Sequence, residues 1–200
     1  NVTDPNNACA ASDEVIVNED TVIPSVDAGA DQLLDCNTTQ VDLTASGCMN
    51  CTYNWTTADG NIISDANNAT ITVDAAGTYI VVATDPNNGC TASDEVQVSQ
   101  DISTPSIVIG GPLIICDGDP ATLTTQVTGG TMPYTYEWNN GETTASIDVQ
   151  PSITTDYFVT VTGANGCTST AQLTLTVNEN PTANAGMDQS VCDGESVNLI

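Results

Sequence analysis

Eight cysteines and 26 carboxylates carry most of the reactive chemistry in this 200-residue sequence, because Lys, Arg and His are absent altogether. Without imidazole or amine, no side chain has an ordinary pKa near neutrality suited to general-base work. Ser-His-Asp and Cys-His arrangements and Lys Schiff bases are excluded for the same reason, as are His-ligated metals. A carboxylate pair of the glycosidase type remains conceivable. The Asp and Glu residues fall in turns and on repeated faces, however, and repetition argues for structure. No enzyme is expected.

The carboxylates do invite a calcium site. Asp27 and Asp31 lie at a module entrance, Asp85 in a hairpin turn with Asp94 and Glu95 in the strand after it, and Asp117 and Asp119 in the loop after Cys116. Calcium takes six to eight oxygens, so clustered carboxylates at linkers could rigidify an array. No DxDxDG loop with its distal Glu is present, and the alternative is solvated turn and edge residues that discourage edge pairing. Calcium is the one cofactor the sequence suggests. The formal charge of −26 excludes two classes of partner. Nucleic-acid phosphates need Lys or Arg to displace their counterions, and anionic lipid needs a polybasic segment. No apolar run approaches the length of a bilayer-spanning helix, so no helical membrane span is expected, and no signal peptide is visible.

These residues sit in a repeat. Thr3 to Val15 reads TDPNNACAASDEV, and Thr84 to Val96 reads TDPNNGCTASDEV. A weaker copy, TGANGCTSTAQL, begins at Thr162. A second landmark recurs as LLDCNTTQVDL around Cys36, IICDGDPATL around Cys116 and SVCDGESVNL around Cys192. A period of about 80 residues suits one small domain per repeat. Asn1 opens inside one recurring motif and Ile200 closes inside another, so the sequence is expected to be a window from a longer tandem array.

Strands must position all of this. Tyr157, Val159 and Val161 alternate with Phe158, Thr160 and Thr162; Ala171, Leu173, Leu175 and Val177 alternate with Gln172, Thr174 and Thr176; Val41, Leu43 and Ala45 flank Asp42 and Thr44. Such period-two patterning means sheets with one buried and one wet face. Turn signals separate the runs, among them Asp85-Pro86-Asn87-Asn88-Gly89 and Asn139-Asn140-Gly141. About seven short strands per period predicts an all-β fold of tandem immunoglobulin-like sandwiches. Trp55 and Trp138 stand where a buried third-strand Trp belongs, and Tyr79 and Tyr157 where a tyrosine corner would. Val81 and Val159 replace the inter-sheet Cys, so the core is expected to close with aliphatics.

The cysteines then fall at module ends. Cys36, Cys116 and Cys192 precede the second strand of a module; Cys9, Cys90 and Cys167 open the last. A last strand of about eight residues at ~3.3 Å each separates these points by roughly 25 Å, whereas a disulfide needs Cα atoms within about 7 Å. If modules stack head to tail, Cys36 could reach Cys167, and Cys9, Cys90, Cys116 and Cys192 would pair with modules elsewhere or stay free. A different topology allowing pairing within a module stays open. Cys48 and Cys51, in Cys-Met-Asn-Cys, are expected to form a local disulfide; zinc would need more ligands and redox work another context.

GGTMPYTYEWNNGETT, from Gly129 to Thr144, and YFVTVTGANGC, from Tyr157 to Cys167, resemble the SprB-type and PKD/Ig-like repeats of large Bacteroidota cell-surface adhesins, exported by the type IX system and including those of gliding motility. The resemblance covers most of Pro105 to Asn178 and is looser over Pro24 to Gln100. PTANAGMDQSVCDGESVNL, from Pro181, is similar to the opening of another PKD-like module. The expected organisation is the end of a preceding module over 1–20, whole modules over 24–100 and 105–178, and the start of a following one over 181–200. The resemblance implies an extracellular, cell-surface location and a structural stalk or filament. Its partners would be neighbouring modules and other copies in a fibre, with direct glycan or surface-polysaccharide binding as the alternative. It also implies an O-glycosylation site at Thr21, in Asp20-Thr21-Val22. The N-linked sequons at Asn1, Asn37, Asn50, Asn54 and Asn68 are expected to be incidental. Without Lys, isopeptide cross-links are impossible, so stiffness must come from disulfides, cations or module packing.

Overall fold

The alternating Thr and aliphatic runs become strands, and all fifteen named elements of the computed structural model are β. It describes residues 1–184, 186–188, 190, 192–194 and 196. The chain divides into two compact units, Asn1–Asp101 and Ile102–Ile200.

The first unit opens with a small hairpin of β1 (Val2–Thr3) and β2 (Ala10–Ala11). Its sandwich is built from β3 (Gln32–Asp35), β4 (Val41–Thr44), β5 (Thr52–Thr57), β6 (Thr70–Val73), β7 (Gly77–Thr84) and β8 (Thr91–Asp101). One sheet runs β3-β8-β7-β5; β4 and β6 form the other. Two isolated bridges, Asp27 to Ser46 and Ile62 to Val73, extend that smaller sheet. The second unit has β9 (Ser106–Gly110), β10 (Ile114–Cys116), β11 (Ala121–Thr128), β12 (Thr135–Trp138), β13 (Ser146–Val149), β14 (Thr155–Thr162) and β15 (Thr168–Asn178). Its sheets run β10-β15-β14-β12 and β13-β11-β9. Both units pair an early strand parallel to the last, β3 with β8 and β10 with β15, while the other pairings are antiparallel. Each is an immunoglobulin-like sandwich. In the first unit the entry segment before β3 keeps only one bridge where the second unit has the strand β9, so six named strands stand in place of seven.

The cores close without a central disulfide. Val81 and Val159 are fully buried, Val81 in one cluster with Leu43, Ile71 and Trp55 and Val159 in another with Leu123, Ile147 and Trp138. Both indoles are only 2% exposed. Trp138 donates its Nε1–H to the Thr144 carbonyl at 2.9 Å, whereas the buried Nε1 of Trp55 has no partner.

The tyrosine corner forms in one unit only. Tyr79, fully buried, donates its hydroxyl to the Ala75 carbonyl at 2.7 Å and accepts the Asn61 N–H at 2.9 Å. The loop is cut to fit: a Cβ at Gly60 would sit 2.3 Å from that hydroxyl oxygen. Among the described residues Tyr157 has no such bond. The loop before β14, Gln150–Thr154, lacks the close-packed glycines that bring a backbone carbonyl onto the ring, so the expected corner at Tyr157 does not form. Burial pushes both phenols above their ordinary pKa of 10.0; at Tyr79 the charges of Asp74 and Asp59 add to it and the two backbone hydrogen bonds oppose it.

Of the segment expected to open a further module, Ala185, Gln189, Val191, Glu195 and Val197–Ile200 lie outside the described residues.

Candidate functional site at the module entrances

The repeated elements of the sequence meet in the turn before each last strand. In the β1–β2 hairpin, Asp4 N–H donates to the Cys9 carbonyl at 2.8 Å and Ala8 N–H to the Asp4 carbonyl at 2.9 Å. Between β7 and β8, Asp85 N–H donates to Cys90 at 2.9 Å and Gly89 N–H to Asp85 at 2.8 Å. The side chains repeat too: Asp4 and Asp85 cap the N–H two residues on, and Asn7 and Asn88 accept from Cys9 and Cys90. The two turns are the same object. Both need a left-handed residue before the Cys, supplied by Gly89 at φ 74° and, less comfortably, by Ala8 at φ 54°. The third copy is one residue shorter, with Gly166 at φ 74° and Asn165 accepting from Cys167 N–H at 3.2 Å.

The Asn of this turn also grips the linker that enters its own module. Asn88 Nδ2 donates to the Val22 carbonyl at 3.0 Å, and Asn165 Nδ2 to the Ser103 carbonyl at 2.9 Å. Val22 and Ser103 occupy equivalent places in successive repeats, each two positions before a proline, Pro24 and Pro105. The grip is therefore a repeated device. Asn165 is buried by it. In the first unit Ser25 Oγ adds a bond to the Gly47 carbonyl at 2.8 Å, and Asp27 and Ser46 exchange backbone bonds. In the second, Gly130 lies so close to the linker that a Cβ would come within 2.9 Å of Pro105 N. The linkers belong structurally to the modules they enter. Sequence reasoning passed over Asn88 and Asn165, although the Asn-x-Cys spacing at residues 7–9, 88–90 and 165–167 was available as a signal.

Cysteines cluster at this same end. Cys48 and Cys51 are bonded to each other, with Cα atoms 5.7 Å apart, and Tyr53 donates its hydroxyl to the Cys48 carbonyl at 3.0 Å. Cys90 lies against the linker, its Sγ 3.9 Å from the Asp20 carbonyl oxygen. Cys36 follows β3 at the far end of the module. Cys36 and Cys167 are both in the disulfide state, while Cys9, Cys90, Cys116 and Cys192 carry free thiols. The two head cysteines differ by one place in register: Asp35 faces Asp101 across the parallel pair and Cys36 comes next, whereas Cys116 itself faces Asn178.

The carboxylates singled out for calcium have local duties. Asp27 accepts the Gly29 N–H, Asp31 the Gln97 N–H, Asp85 the Asn87 N–H and Nδ2, and Asp94 the Ala28 N–H. Asp117 and Asp119 are exposed in the loop after β10, where their backbone N–H groups bond Asn178 and Cys116. Among the described residues no three of His, Cys, Asp and Glu converge so as to hold a metal ion. Thr21 and the five sequon asparagines are all exposed. Both tryptophans belong to the core. The outward aromatic Phe158, 40% exposed, sits in a shallow depression with Glu137, Asn139 and Thr160.

No family model matches the chain, and neither does any curated protein. Solved structures do. The chain is similar to titin domains I67–I69, at 15% identity over 78% of this chain and 66% of that one, with a TM-score of 0.47. It is also similar to the two immunoglobulin domains of DIP-gamma, at 11% identity over 80% and 99% with a TM-score of 0.42. The three N-terminal domains of the bacteriophage RB49 outer capsid protein Hoc match at 22% identity over 78% and 59%, with a TM-score of 0.43.

Proposed function

We propose that this chain is a structural repeat segment of a giant extracellular adhesin or surface filament of the SprB-like kind, a stalk whose modules are joined by a disulfide between Cys36 and Cys167. The repeated entrance carries this reading. A catalytic or ligand-binding domain has no need to tie each incoming linker to its last hairpin, and a load-bearing tandem array does. The oxidised state of Cys36 and Cys167 supports the staple, as does the roughly 25 Å that separates head from tail within one module. The absence of Lys and Arg suits a surface exposed to trypsin-like proteases. The partners on this reading are neighbouring modules and other copies along a fibre.

Single-molecule extension of the chain, pulled from its two ends with and without reductant, tests it. The staple shields everything between Cys36 and Cys167 from load. Reduction should therefore release roughly 130 residues and add on the order of 400 Å to the unfolded contour length, at ~3.3–3.6 Å per residue. Cys36→Ser should do the same without reductant. Equal lengths under both conditions would remove the stapled stalk.

A further inference from the structure

Cys90 is a free thiol in a place that its repeat partner fills with a disulfide-bonded sulfur. It occupies the same position in its hairpin as Cys167, with the same Asn two residues before it gripping the same linker carbonyl. Cys167 is oxidised and Cys90 is not. Cys90 is moreover aimed: its Sγ lies 3.9 Å from the carbonyl oxygen of Asp20, the last residue before the entry linker.

The repeat says what lies beside Asp20. Asp20-Thr21-Val22-Ile23-Pro24-Ser25 and Asp101-Ile102-Ser103-Thr104-Pro105-Ser106 stand one period apart, so Asp20 ends one module as Asp101 ends the next. Asp101 is the cross-strand partner of Asp35, and Cys36 follows Asp35 directly. Neighbouring strands lie about 4.8 Å apart. A head cysteine in the module that ends at Asp20 would therefore sit one residue beyond the cross-strand partner of that Asp, and Cys90 lies against the same Asp. Both cysteines then converge on one residue, as a bond that needs Cα atoms within ~7 Å requires.

Resting on the tandem-array reading above, we infer that Cys90 is the tail half of a second inter-module staple whose other half is the head cysteine of the module preceding it, so that every junction carries one disulfide. Cys116, exposed at the other end of its own module, is the head half of the next. Formation joins two sulfurs as two thiols lose two protons and two electrons. A disulfide oxidant takes the electrons and leaves as two thiols, as glutathione disulfide does.

The test lengthens the full chain by inserting a second copy of residues 21–101 immediately before Thr21, with Cys90→Ser in the added copy. The original Cys90 then follows a module that carries Cys36. After folding in glutathione disulfide, blocking with N-ethylmaleimide and digestion with pepsin, mass spectrometry should find the original Cys90 joined to Cys36 of the added copy. The same chain with Cys36→Ser in the added copy should show Cys90 fully alkylated. Alkylation of Cys90 in both chains, or protection in both, overturns the inference. The original Cys36–Cys167 bond is read in the same digest: its presence beside an unpaired Cys90 refutes only the second staple, and its loss refutes the stapled stalk itself.

Discussion

Replacing Tyr79 by Phe should destabilise the first unit measurably, while Tyr157→Phe costs the second almost nothing. The Tyr79 hydroxyl donates to Ala75 at 2.7 Å and accepts from Asn61 at 2.9 Å. One net hydrogen bond contributes about 1 kcal/mol, and a stranded buried partner adds to the loss. Asn61 is exposed, so water can recover part of its N–H, which holds the total cost of Tyr79→Phe to about 2 kcal/mol at most. For a domain of this size a loss of about 1–2 kcal/mol corresponds to a fall in Tm of about 4–16 °C. Each core has its own reporter, Trp55 in one and Trp138 in the other. Melting followed by Trp fluorescence in a Trp138→Phe background therefore reads the first unit alone. Gly60→Ala, which would push a methyl into the Tyr79 hydroxyl, should cost at least as much. Equal shifts for the two Tyr→Phe variants would refute the corner as a stabilising device.

Two further outcomes follow from the same geometry. Burial raises the pKa of Tyr79, so the folded state holds the phenolic proton more tightly than the unfolded state does. Its contribution to stability is intact below the ordinary pKa of 10.0 and is lost as pH rises through the folded value. The Tm of the first unit should therefore drop in that alkaline range, and less steeply in Tyr79→Phe. Asn165→Ala removes the donor to Ser103 and the acceptor for Cys167 N–H. It should destabilise the second unit by about 1–3 kcal/mol and speed amide exchange at Cys167, measured by deuterium uptake of that peptide.

The sandwich was legible because its signal is local. Thr160 beside Val161, or Gln172 beside Leu173, states which face is wet without reference to any other part of the chain. The same holds for Trp55 and Trp138, whose polar neighbours Asn54 and Glu137 mark them as inward. What stayed hidden depends on distant partners. Tyr79 and Tyr157 look alike in sequence and differ because Gly60 and Gly77 let one loop close on a ring while the other has no such loop. Asn88 reads as an ordinary turn residue, and only the fold brings the Val22 carbonyl, 66 positions away, to its side-chain amide. The duty of Asp31 was hidden in the same way: it accepts the Gln97 N–H, which only the fold brings to it, whereas Asp27 and Asp85 each accept the N–H two residues on.

The parallel pairing of β3 with β8, and of β10 with β15, has a consequence for tension. β3 and β8 lie side by side and point the same way, and so do β10 and β15. Once the Cys36–Cys167 bond is reduced, a pull on the two ends of a module drags them past each other along their length. The ladder between them, Gln32 to Asp35 against Val98 to Asp101, is loaded in shear, so its hydrogen bonds must fail together and cannot be unzipped one at a time. Each module thus carries a brittle seam between an early strand and its last one, and in the unreduced chain the disulfide spares it.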